Sequence, residues 1–316
     1  MNPVKLAIVV PCYNEEQALP ISAKSLLEIL DRMTADGLTS TDSFILCCND
    51  GSRDATWQVI EQLHESDARV KGISLAHNRG HQYALLAGLK TVIDRCDAAV
   101  SIDADLQDDP EAIVDMVKAF NDGAEIVYGV RSSRETDTFF KRVTAHGFYK
   151  FQRAMGLDTV YDHADYRLMS NRALVLLSRY QESNLFLRGI IPQIGLKTAV
   201  VQYRRASRVA GESKYPLSKM LSFSVDGITS FTARPIRFIF FLGLFLLLLD
   251  IVVAVYVFIS YFKHNYDAGW PSLMLSVWFL GSLILMALGI VGEYISKIFI
   301  EVKGRPRFEI AESLLD

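Results

Sequence analysis

The stretch AAVSIDADLQ, residues 98–107, decides the fold, because an apolar strand at 98–102 runs directly into Asp103 and Asp105. A strand that ends in this way leaves both carboxylates at the carboxyl edge of a sheet, where open α/β folds bind ligands. Two hard oxygen ligands suit Mg²⁺ or Mn²⁺, and these ions in turn suit a pyrophosphate. The stretch therefore predicts an α/β domain with a phosphate-handling site.

The residues around this stretch alternate between strands and helices. Length and β-branched content predict buried strands at 6–10, 44–48, 72–75, 98–102 and 125–128. Amphipathic periodicity predicts helices near 16–33, 55–64, 82–93 and 111–120. Such alternation predicts a doubly wound, mainly parallel sheet.

A polar cluster follows each of the predicted strands. The clusters are PCYNE (11–15), NDGSRD (49–54), HNRGH (77–81), DADLQ (103–107) and GVRSSR (129–134). Asx and Gly residues form turns for local reasons, so any single cluster is explained equally well as a plain turn. All of them at one edge of the sheet predict a binding crevice.

Composition excludes several classes of protein. A net charge of −3 argues against general nucleic-acid binding, because no basic excess is present to neutralise phosphates. The four cysteines lack metal-ligand spacing and lie in or beside apolar runs, which predicts buried, reduced thiols. The first residues enter a strand without the features of a signal peptide.

The apolar excess behind the mean hydropathy of +0.20 is concentrated in residues 236–300. Two segments, 236–262 and 273–298, each exceed the ~20 residues that cross a bilayer. Cationic residues flank the spans and only one Lys lies in the connecting loop, so the positive-inside rule predicts cytosolic ends and a cytosolic catalytic domain. The predicted parts are a domain at 1–215, a juxtamembrane segment at 216–235, a two-helix hairpin at 236–300 and a tail at 301–316.

Three further segments bear on membrane contact. Residues 136–156 form an amphipathic pattern that suits an anionic membrane surface, with core packing of its aromatics as an equal alternative. Residues 203–219 carry an excess of positive charge that faces a membrane or a phosphate. Asp250, in the middle of the first span, costs about 2.5–3.5 kcal/mol unless it is paired or protonated, which favours a helix–helix or oligomer contact over transport.

Taken together, these motifs resemble a known family. The matching passages are PCYNEE (11–16), NDGSRD (49–54), NRGHQYAL (78–85), DADLQDDP (103–110), YGVRSSRE (128–135), ADYRLMS (164–170), RVAGESKYPLSKML (208–221) and EYISKIFIEVKGRPRF (293–308). The chain resembles glycosyltransferase family two, with its GT-A fold. More narrowly it is similar to the polyisoprenyl-phosphate glycosyltransferases, which include bactoprenol glucosyltransferases and dolichyl-phosphate mannose synthases. Many sugar transferases share PxYNE and DxD, whereas AGESKY joined to a hairpin and an RPRF tail is much more specific.

The resemblance implies a role for each group of site residues. The nucleotide-sugar group is Pro11, Tyr13, Asn14, Glu15, Asp50, Asp103 and Ala104. Asp105, helped by Gln107, would hold Mg²⁺ or Mn²⁺ on the donor pyrophosphate, and Asp165 with Arg167 would lie at the acceptor side. The group that would surround donor or acceptor phosphates is Arg131, Arg134, Arg205, Arg208, Ser213 and Lys214. Relatives often carry Gly-Asp-Phe-Arg where this chain has Ala-Asp-Tyr-Arg from Ala164, and Tyr166 would change which sugar or lipid is favoured. Relatives often carry Ser where this chain has Ala145, which puts an acceptor-phosphate contact there in doubt.

The resemblance implies transfer of a hexose, glucose first, from a UDP-sugar to undecaprenyl phosphate at the cytosolic face of the bacterial inner membrane, by a homo-oligomer such as a tetramer. The acceptor is already an anionic nucleophile because its second pKa is about 6, so Asp165 either orients the acceptor or takes a proton. A single displacement inverts the anomeric carbon. The alternatives are another pair of substrates, such as GDP-mannose and a dolichyl-type phosphate, a nucleotidyltransferase, or a catalytically silent membrane scaffold. A processive synthase is disfavoured because the chain lacks a Gln-x-x-Arg-Trp motif.

Overall fold

The computed structural model describes residues 3–131, 163–182, 185–203 and 269–315, together with five isolated positions between 239 and 255. Within this part, residues 269–304 belong to one compact unit and the other three segments, with residues 305–315, belong to a second one. The second unit holds the sheet and every described residue of the predicted site.

The elements of the sheet unit follow the predicted order through the fifth predicted strand, and further strands and helices come after it. Its strands are Leu6–Cys12 (β1), Phe44–Asn49 (β2), Val70–Leu75 (β3), Ala98–Ser101 (β4), Ile126–Arg131 (β5), His163–Ser170 (β6), Thr198–Tyr203 (β7) and Ile310–Leu314 (β8). Its helices are Leu19–Ala35 (α1), Thr56–Ser66 (α2), His81–Thr91 (α3), Ala112–Asn121 (α4), Asn171–Ser178 (α5) and Leu187–Gln193 (α6). The other unit contains Trp270–Val302 (α7).

The strands form one mixed sheet in the order β7-β5-β6-β4-β1-β2-β3-β8. β1 pairs in parallel with β2 and β4, and β2 pairs in parallel with β3. β6 is antiparallel to both β4 and β5, so β5 runs in the same direction as β4, and β7 is parallel to β5. The α/β class and the mainly parallel sheet are confirmed, and all five predicted strands end at the same edge.

The central strands are apolar because both faces of the sheet are covered. Every residue of β1 is buried. On one face, a Cβ at Gly88 of α3 would lie 2.4 Å from Cys48 Sγ and 2.5 Å from Val9 Cγ1, so only glycine lets this helix approach the sheet so closely. On the other face, Ile8 packs in a cluster with apolar residues of α1 and α4. Helices on both faces correspond to the doubly wound arrangement.

All four cysteines are free and buried, as the sequence predicted. Burial raises the pKa of the Cys96 thiol to about 12 and also raises the pKa of Cys48. Since the thiolate is the reactive form, these residues behave as small apolar side chains.

An edge strand that the sequence analysis did not predict completes the sheet. β8 pairs antiparallel with β3, and Ala76 N donates to Glu309 O at 2.9 Å. Trp57 Nε1 of α2 donates to Glu312 Oε2 at 3.2 Å, and Lys71 Nζ donates to the carbonyl of Leu315. The residues after α7 thus cover an edge that would otherwise expose unpaired backbone groups.

One helix of the described residues is long and apolar enough to cross a membrane. Residues Phe279–Val302 of α7, 24 residues, have a mean hydropathy of 1.9, and none of this segment is buried within the chain. The predicted second span, 273–298, lies inside α7. The first span with Asp250, the 136–156 segment and residues 204–235 lie outside the described residues, apart from isolated positions in the span, so the hairpin stays a prediction.

Candidate active site

The loops that follow β1 and β2 are joined by a set of short hydrogen bonds. Asn14, which has a left-handed φ of 55°, accepts on its Oδ1 from Arg53 N at 2.9 Å and donates its backbone N–H to Ser52 Oγ at 3.0 Å. Glu15 N donates to Thr56 Oγ1 at 2.9 Å. The two loops therefore form one rigid surface, on which the Tyr13 side chain is left 41% exposed.

Asp50 connects that surface to the loop after β3. Its Oδ1 accepts from Arg79 N at 2.7 Å and its Oδ2 accepts from Gly80 N at 2.8 Å. Burial raises the pKa of the Asp50 carboxyl, against the effect of these two hydrogen bonds. Asp50, for which the family resemblance implies a contact with the nucleoside, thus fixes the β3–α3 loop, a role that the sequence analysis did not assign.

The stretch 103–107 follows β4 as a tight acidic loop. Leu106 has a φ of 45°, and Gln107 N donates to Asp105 Oδ1 at 3.1 Å. Ser22 Oγ of α1 donates to the carbonyl of Ala104, and this hydrogen bond ties the acidic loop to α1. Burial and the carboxylates of Asp165, Asp108 and Asp105 raise the pKa of Asp103, whereas His81 lowers it. Burial is the largest of these effects, and the three neighbouring carboxylates act in the same direction as burial.

This acidic loop fits a divalent cation only as part of a larger ligand set. Among the residues that the structure describes, no group of three His, Cys, Asp or Glu is arranged to hold a metal ion. Mg²⁺ is commonly held by one or two carboxylates and completes its coordination with substrate phosphates and water. Asp105, with Gln107 beside it, supplies donors of that kind, so the site fits an ion that binds together with a pyrophosphate.

Arg131 is held next to the acidic loop through Asp108 and Tyr203. Tyr203 OH donates to Asp108 Oδ1 at 2.7 Å and accepts from Arg131 Nε at 3.3 Å. Burial raises the pKa of Tyr203, and the nearby Asp108 raises it further. From β6, Tyr166 OH donates to Asp109 O at 2.9 Å, and its ring packs edge-on against Tyr203. Arg131, for which the family resemblance implies a phosphate contact, is therefore held beside the acidic loop, and its role stays a prediction.

Asp165 lies on β6 with two guanidinium groups on its carboxylate. Arg167 Nη2 donates to Asp165 Oδ1 at 2.5 Å, while Arg188 of α6 donates from Nε to Oδ1 at 3.2 Å and from Nη2 to Oδ2 at 3.1 Å. Burial by itself would raise the pKa of Asp165, but Arg188 and Arg167 hold that pKa well below its usual range. Asp165 is thus an ionised, oriented carboxylate rather than a ready proton acceptor.

Arg167 itself is almost inaccessible, with 1% of its side chain exposed. Its Nε and Nη1 have no hydrogen-bond partner in the part of the chain that the structure describes. Within the described residues the buried guanidinium therefore has Asp165 as its ionic partner and holds that carboxylate in place.

His81, the first residue of α3, brings the two acidic groups together. Its Nε2 lies 3.6 Å from Asp103 Oδ1 and 3.7 Å from Asp165 Oδ2. The carboxylate at the end of β4 and the carboxylate of β6 therefore meet around one imidazole. A group bound beside His81 would therefore lie close to both carboxylates.

The structure brings together most of the predicted site and adds residues that the sequence analysis missed. Arg134, Arg205, Arg208, Ser213 and Lys214 lie outside the described residues. His81 was within a quoted motif but had no role assigned to it, and its place at the start of a helix after the third strand was the available signal. Arg188 had no local signal, because it reaches Asp165 only through the packing of α6.

Comparison with known proteins gives a consistent picture over the whole chain. The family model for glycosyl transferase family 2 matches residues 7–176. An uncharacterised glycosyltransferase of Bacillus subtilis, YkoT, is 52% identical over 305 residues, which are 96% of this chain and 90% of that protein. The SfII prophage-derived bactoprenol glucosyl transferase of Shigella flexneri is 38% identical over 98% of each chain. A prophage bactoprenol glucosyl transferase homolog of Escherichia coli K12 is 36% identical over 97% of this chain and 98% of its own.

Proposed function

This chain belongs to glycosyl transferase family 2, and from that premise we propose that it transfers a hexose from a nucleotide diphosphate sugar to polyprenyl phosphate. Glucose from UDP-glucose and undecaprenyl phosphate are the first substrates to test, because full-length relatives carry the name bactoprenol glucosyl transferase. The observation that carries the proposal is the meeting of Asp103 and Asp165 at His81, since it joins a donor loop to an acceptor carboxylate.

The donor nucleotide would occupy the surface formed by the β1 and β2 loops. Tyr13 is exposed enough to contact a base, and the backbone of Asn14 and Glu15 is fixed by the neighbouring loop. Asp103 is half exposed at the rim of this surface, where a ribose hydroxyl could donate to it. Arg131, held by Tyr203 and Asp108, would neutralise a phosphate next to the acidic loop.

A divalent cation, Mg²⁺ or Mn²⁺, would bind at Asp105 with help from Gln107. When bound with a nucleotide sugar, such an ion supplies Lewis-acid stabilisation of the departing diphosphate. Residues of this chain fix the loop that carries Asp105. The backbone N–H of Gln107 donates to the Asp105 carboxylate, and Ser22 Oγ donates to the carbonyl of Ala104. These hydrogen bonds would keep the Asp105 carboxylate in place before the substrate binds, which is the condition for electrostatic preorganisation.

The transfer itself requires one bond to form and one to break. A phosphate oxygen of the acceptor attacks the anomeric carbon, the bond from that carbon to the β-phosphate breaks, and the electron pair leaves with the nucleotide diphosphate. The acceptor phosphate is mostly dianionic at neutral pH because its second pKa is about 6, so no strong base has to remove a proton. Asp165, held ionised by Arg188 and Arg167, would orient the acceptor and its counter-charges, and inversion at the anomeric carbon follows from the single displacement.

The membrane assignment rests on α7. No part of the segment Phe279–Val302 is buried within the chain, and its exposed apolar side chains include Phe279, Ile284 and Ile295, as expected of a helix that is in contact with lipid. We propose that it forms the second half of the hairpin 236–300 in the bacterial inner membrane, with residues 1–215, the 216–235 segment and the 301–316 tail on the cytosolic side. A homo-oligomer, with the tetramer suggested by the family resemblance, is part of the same proposal.

The test is product analysis with membranes that contain the full chain. Radiolabelled UDP-glucose, UDP-galactose and GDP-mannose are each incubated with polyprenyl phosphate and Mn²⁺, and the lipids are extracted into organic solvent. Transfer of label from UDP-glucose into the organic phase supports the proposal, and transfer from GDP-mannose supports the dolichyl-type alternative. Label that stays wholly aqueous with every donor contradicts lipid glycosylation, including the alternative, and leaves a silent scaffold or a nucleotidyltransferase.

A further inference from the structure

We propose that Arg188 is a positioning residue for the acceptor step, which acts by holding the carboxylate of Asp165 in a fixed orientation and with its charge balanced. The inference rests on the proposed function, because it assigns Asp165 to the acceptor side of the crevice.

The geometry of the contact is that of a two-point clamp. Arg188 donates from Nε and Nη2 to the two different oxygens of Asp165, at 3.2 and 3.1 Å. Bidentate pairs of this kind fix the plane of a carboxylate as well as its distance, which a single contact does not do. Arg167 contacts only Oδ1, so Oδ2 depends on Arg188 for its direct guanidinium contact.

α6 is built to present Arg188 at this place. Leu187, Ile190 and Ile191 are fully buried, so the short helix is packed firmly against the sheet unit. The backbone N–H of Leu187 donates to Gln82 Oε1 at 3.0 Å. Gln82 follows His81 in α3, so the same helix turn that carries the bridging imidazole also fixes the start of the helix that carries Arg188.

The two arginines on Asp165 differ in a way that assigns them different roles. Arg167 is 1% exposed and is part of the interior, whereas the side chain of Arg188 is 45% exposed and borders the crevice. The acceptor and the donor diphosphate are both anionic, so an unbalanced carboxylate between them would repel the acceptor. Arg167 offsets the charge of Asp165 from the interior, and Arg188 adds a second cation on the solvent side, so Asp165 can orient the acceptor without repelling it.

The alternative is a salt bridge that contributes only to stability. Partly exposed ion pairs contribute about 0–1 kcal/mol and are often neutral when removed. That alternative predicts a small change in melting temperature and unchanged kinetics for both substrates, so the two interpretations differ in what they predict for the acceptor.

The experiment uses the full chain in membranes, with Arg188→Ala, Arg188→Lys and, as a matched control, Arg172→Ala. Arg172 is also a partly exposed arginine paired with one carboxylate, Glu125 at 2.8 Å, but it lies on α5 and does not contact Asp165. For each variant, kcat and KM are measured separately for donor and for polyprenyl phosphate, and the melting temperature is recorded.

We expect Arg188→Ala to lower kcat/KM for the acceptor by about 10²-fold, because loss of orientation at a reacting centre has effects of that size. The donor KM should stay within about twofold of wild type, and added guanidinium ion should restore part of the lost rate. Arg188→Lys should recover only part of the activity, because an ammonium keeps the charge but not the two-point contact. Arg172→Ala should behave as wild type.

A double-mutant cycle with Asp165→Asn separates a role through Asp165 from any other role. If Arg188 acts through Asp165, adding Arg188→Ala to Asp165→Asn should cause little further loss, since interacting residues are not additive. Three results would each overturn the inference. The losses of activity in the two single variants could multiply in the double variant, or the acceptor kinetics of Arg188→Ala could equal those of wild type. The third is an equal loss of kcat/KM for donor and for acceptor in Arg188→Ala. Should Arg188→Ala fail to fold, Arg188→Lys and the cycle built on it carry the same test.

The failure of this inference is distinguishable from failure of the proposed function. Formation of a lipid-linked sugar by the wild-type chain tests the function by itself. The ratio of each variant to wild type, in the assay that wild type passes, tests Arg188 alone.

Discussion

Gly51 offers the sharpest test of how the donor side of the crevice is built. Its φ of 59° is left-handed, and a Cβ there would lie 2.7 Å from Asn78 N, 2.7 Å from His77 C and 2.9 Å from His77 Cα. All three atoms are backbone, so Gly51→Ala cannot be accommodated by turning a side chain. The loop after β2 and the loop after β3 would have to move apart, and Asp50 would lose its geometry on Arg79 N and Gly80 N.

The magnitude follows by comparison with Gly37, which provides a matched control. Gly37 also has a left-handed φ, 70°, but a Cβ there would meet nothing within 4 Å. A left-handed alanine costs about 1–2 kcal/mol, less about 0.4–1 kcal/mol because alanine restricts the unfolded chain, so Gly37→Ala should cost about 1 kcal/mol. Gly51→Ala adds about 1–3 kcal/mol for the backbone overlap, which gives about 2–4 kcal/mol.

The assay is thermal unfolding of both variants, together with donor kinetics. One kcal/mol lowers the melting temperature of a domain of this size by about 2–4 °C, so Gly37→Ala should lower it by about 2–4 °C and Gly51→Ala by roughly 4–16 °C. Because a misplacement of ~1 Å at a substrate site costs up to ~10²-fold, kcat/KM for the donor should fall by about 10- to 100-fold in Gly51→Ala and stay near wild type in Gly37→Ala. Equal shifts in melting temperature with unchanged donor kinetics in both variants would refute the reasoning.

Asp105→Asn should lower turnover by about 10²-fold or more and remove the dependence of turnover on Mn²⁺ or Mg²⁺. The control Asp115→Asn, on the exposed face of α4, should do neither. Unchanged turnover in Asp105→Asn would mean that the metal assignment is wrong. Since Arg188 and Arg167 hold the pKa of Asp165 below its usual range, kcat/KM for the acceptor should fall only as pH drops through about 6, where the acceptor loses its second negative charge. Asp165→Asn should lower the plateau of this profile and leave the midpoint in place, and a displaced midpoint would show that Asp165 itself titrates. Removal of residues 309–316 should lower the melting temperature and promote aggregation, measured by light scattering, because it uncovers the edge of β3; a monodisperse protein with an unchanged melting temperature would contradict this role for β8.

The fold of the first half could be predicted from the sequence because its signals are local. β1 to β5 all begin within two residues of their predicted starts, since short apolar runs with β-branched residues show where a doubly covered sheet lies. β6 was missed for a physical reason: its sequence carries Asp165 and Arg167, whose charges interrupt the apolar pattern of a buried strand. β7 and β8 alternate or expose their side chains, as edge strands do, and give a weak signal.

The residues of the candidate site also differ in whether local sequence signals could reveal their positions. Asp103, Asp105 and Asp50 follow strands that the sequence predicts, so their place at the carboxyl edge required no tertiary information. The partners of Asp50 in the β3–α3 loop did require it, because Arg79 N and Gly80 N are backbone atoms about thirty residues away in the chain. A backbone donor carries no residue type by which a sequence could reveal it.

The sequence by itself determined that this protein has an α/β sheet with acidic and polar loops gathered at one edge, since the direction of a strand and the residue after it are local properties. The tertiary structure alone decided what those residues do to one another. Asp165 is ionised and oriented because Arg188 comes from a different helix, and His81 joins Asp165 to Asp103 because β4, β6 and the start of α3 converge. Burial and charge partners are set by the packing of segments far apart in the chain, and they decide the ionisation and orientation of side chains whose residue types are already visible in the sequence.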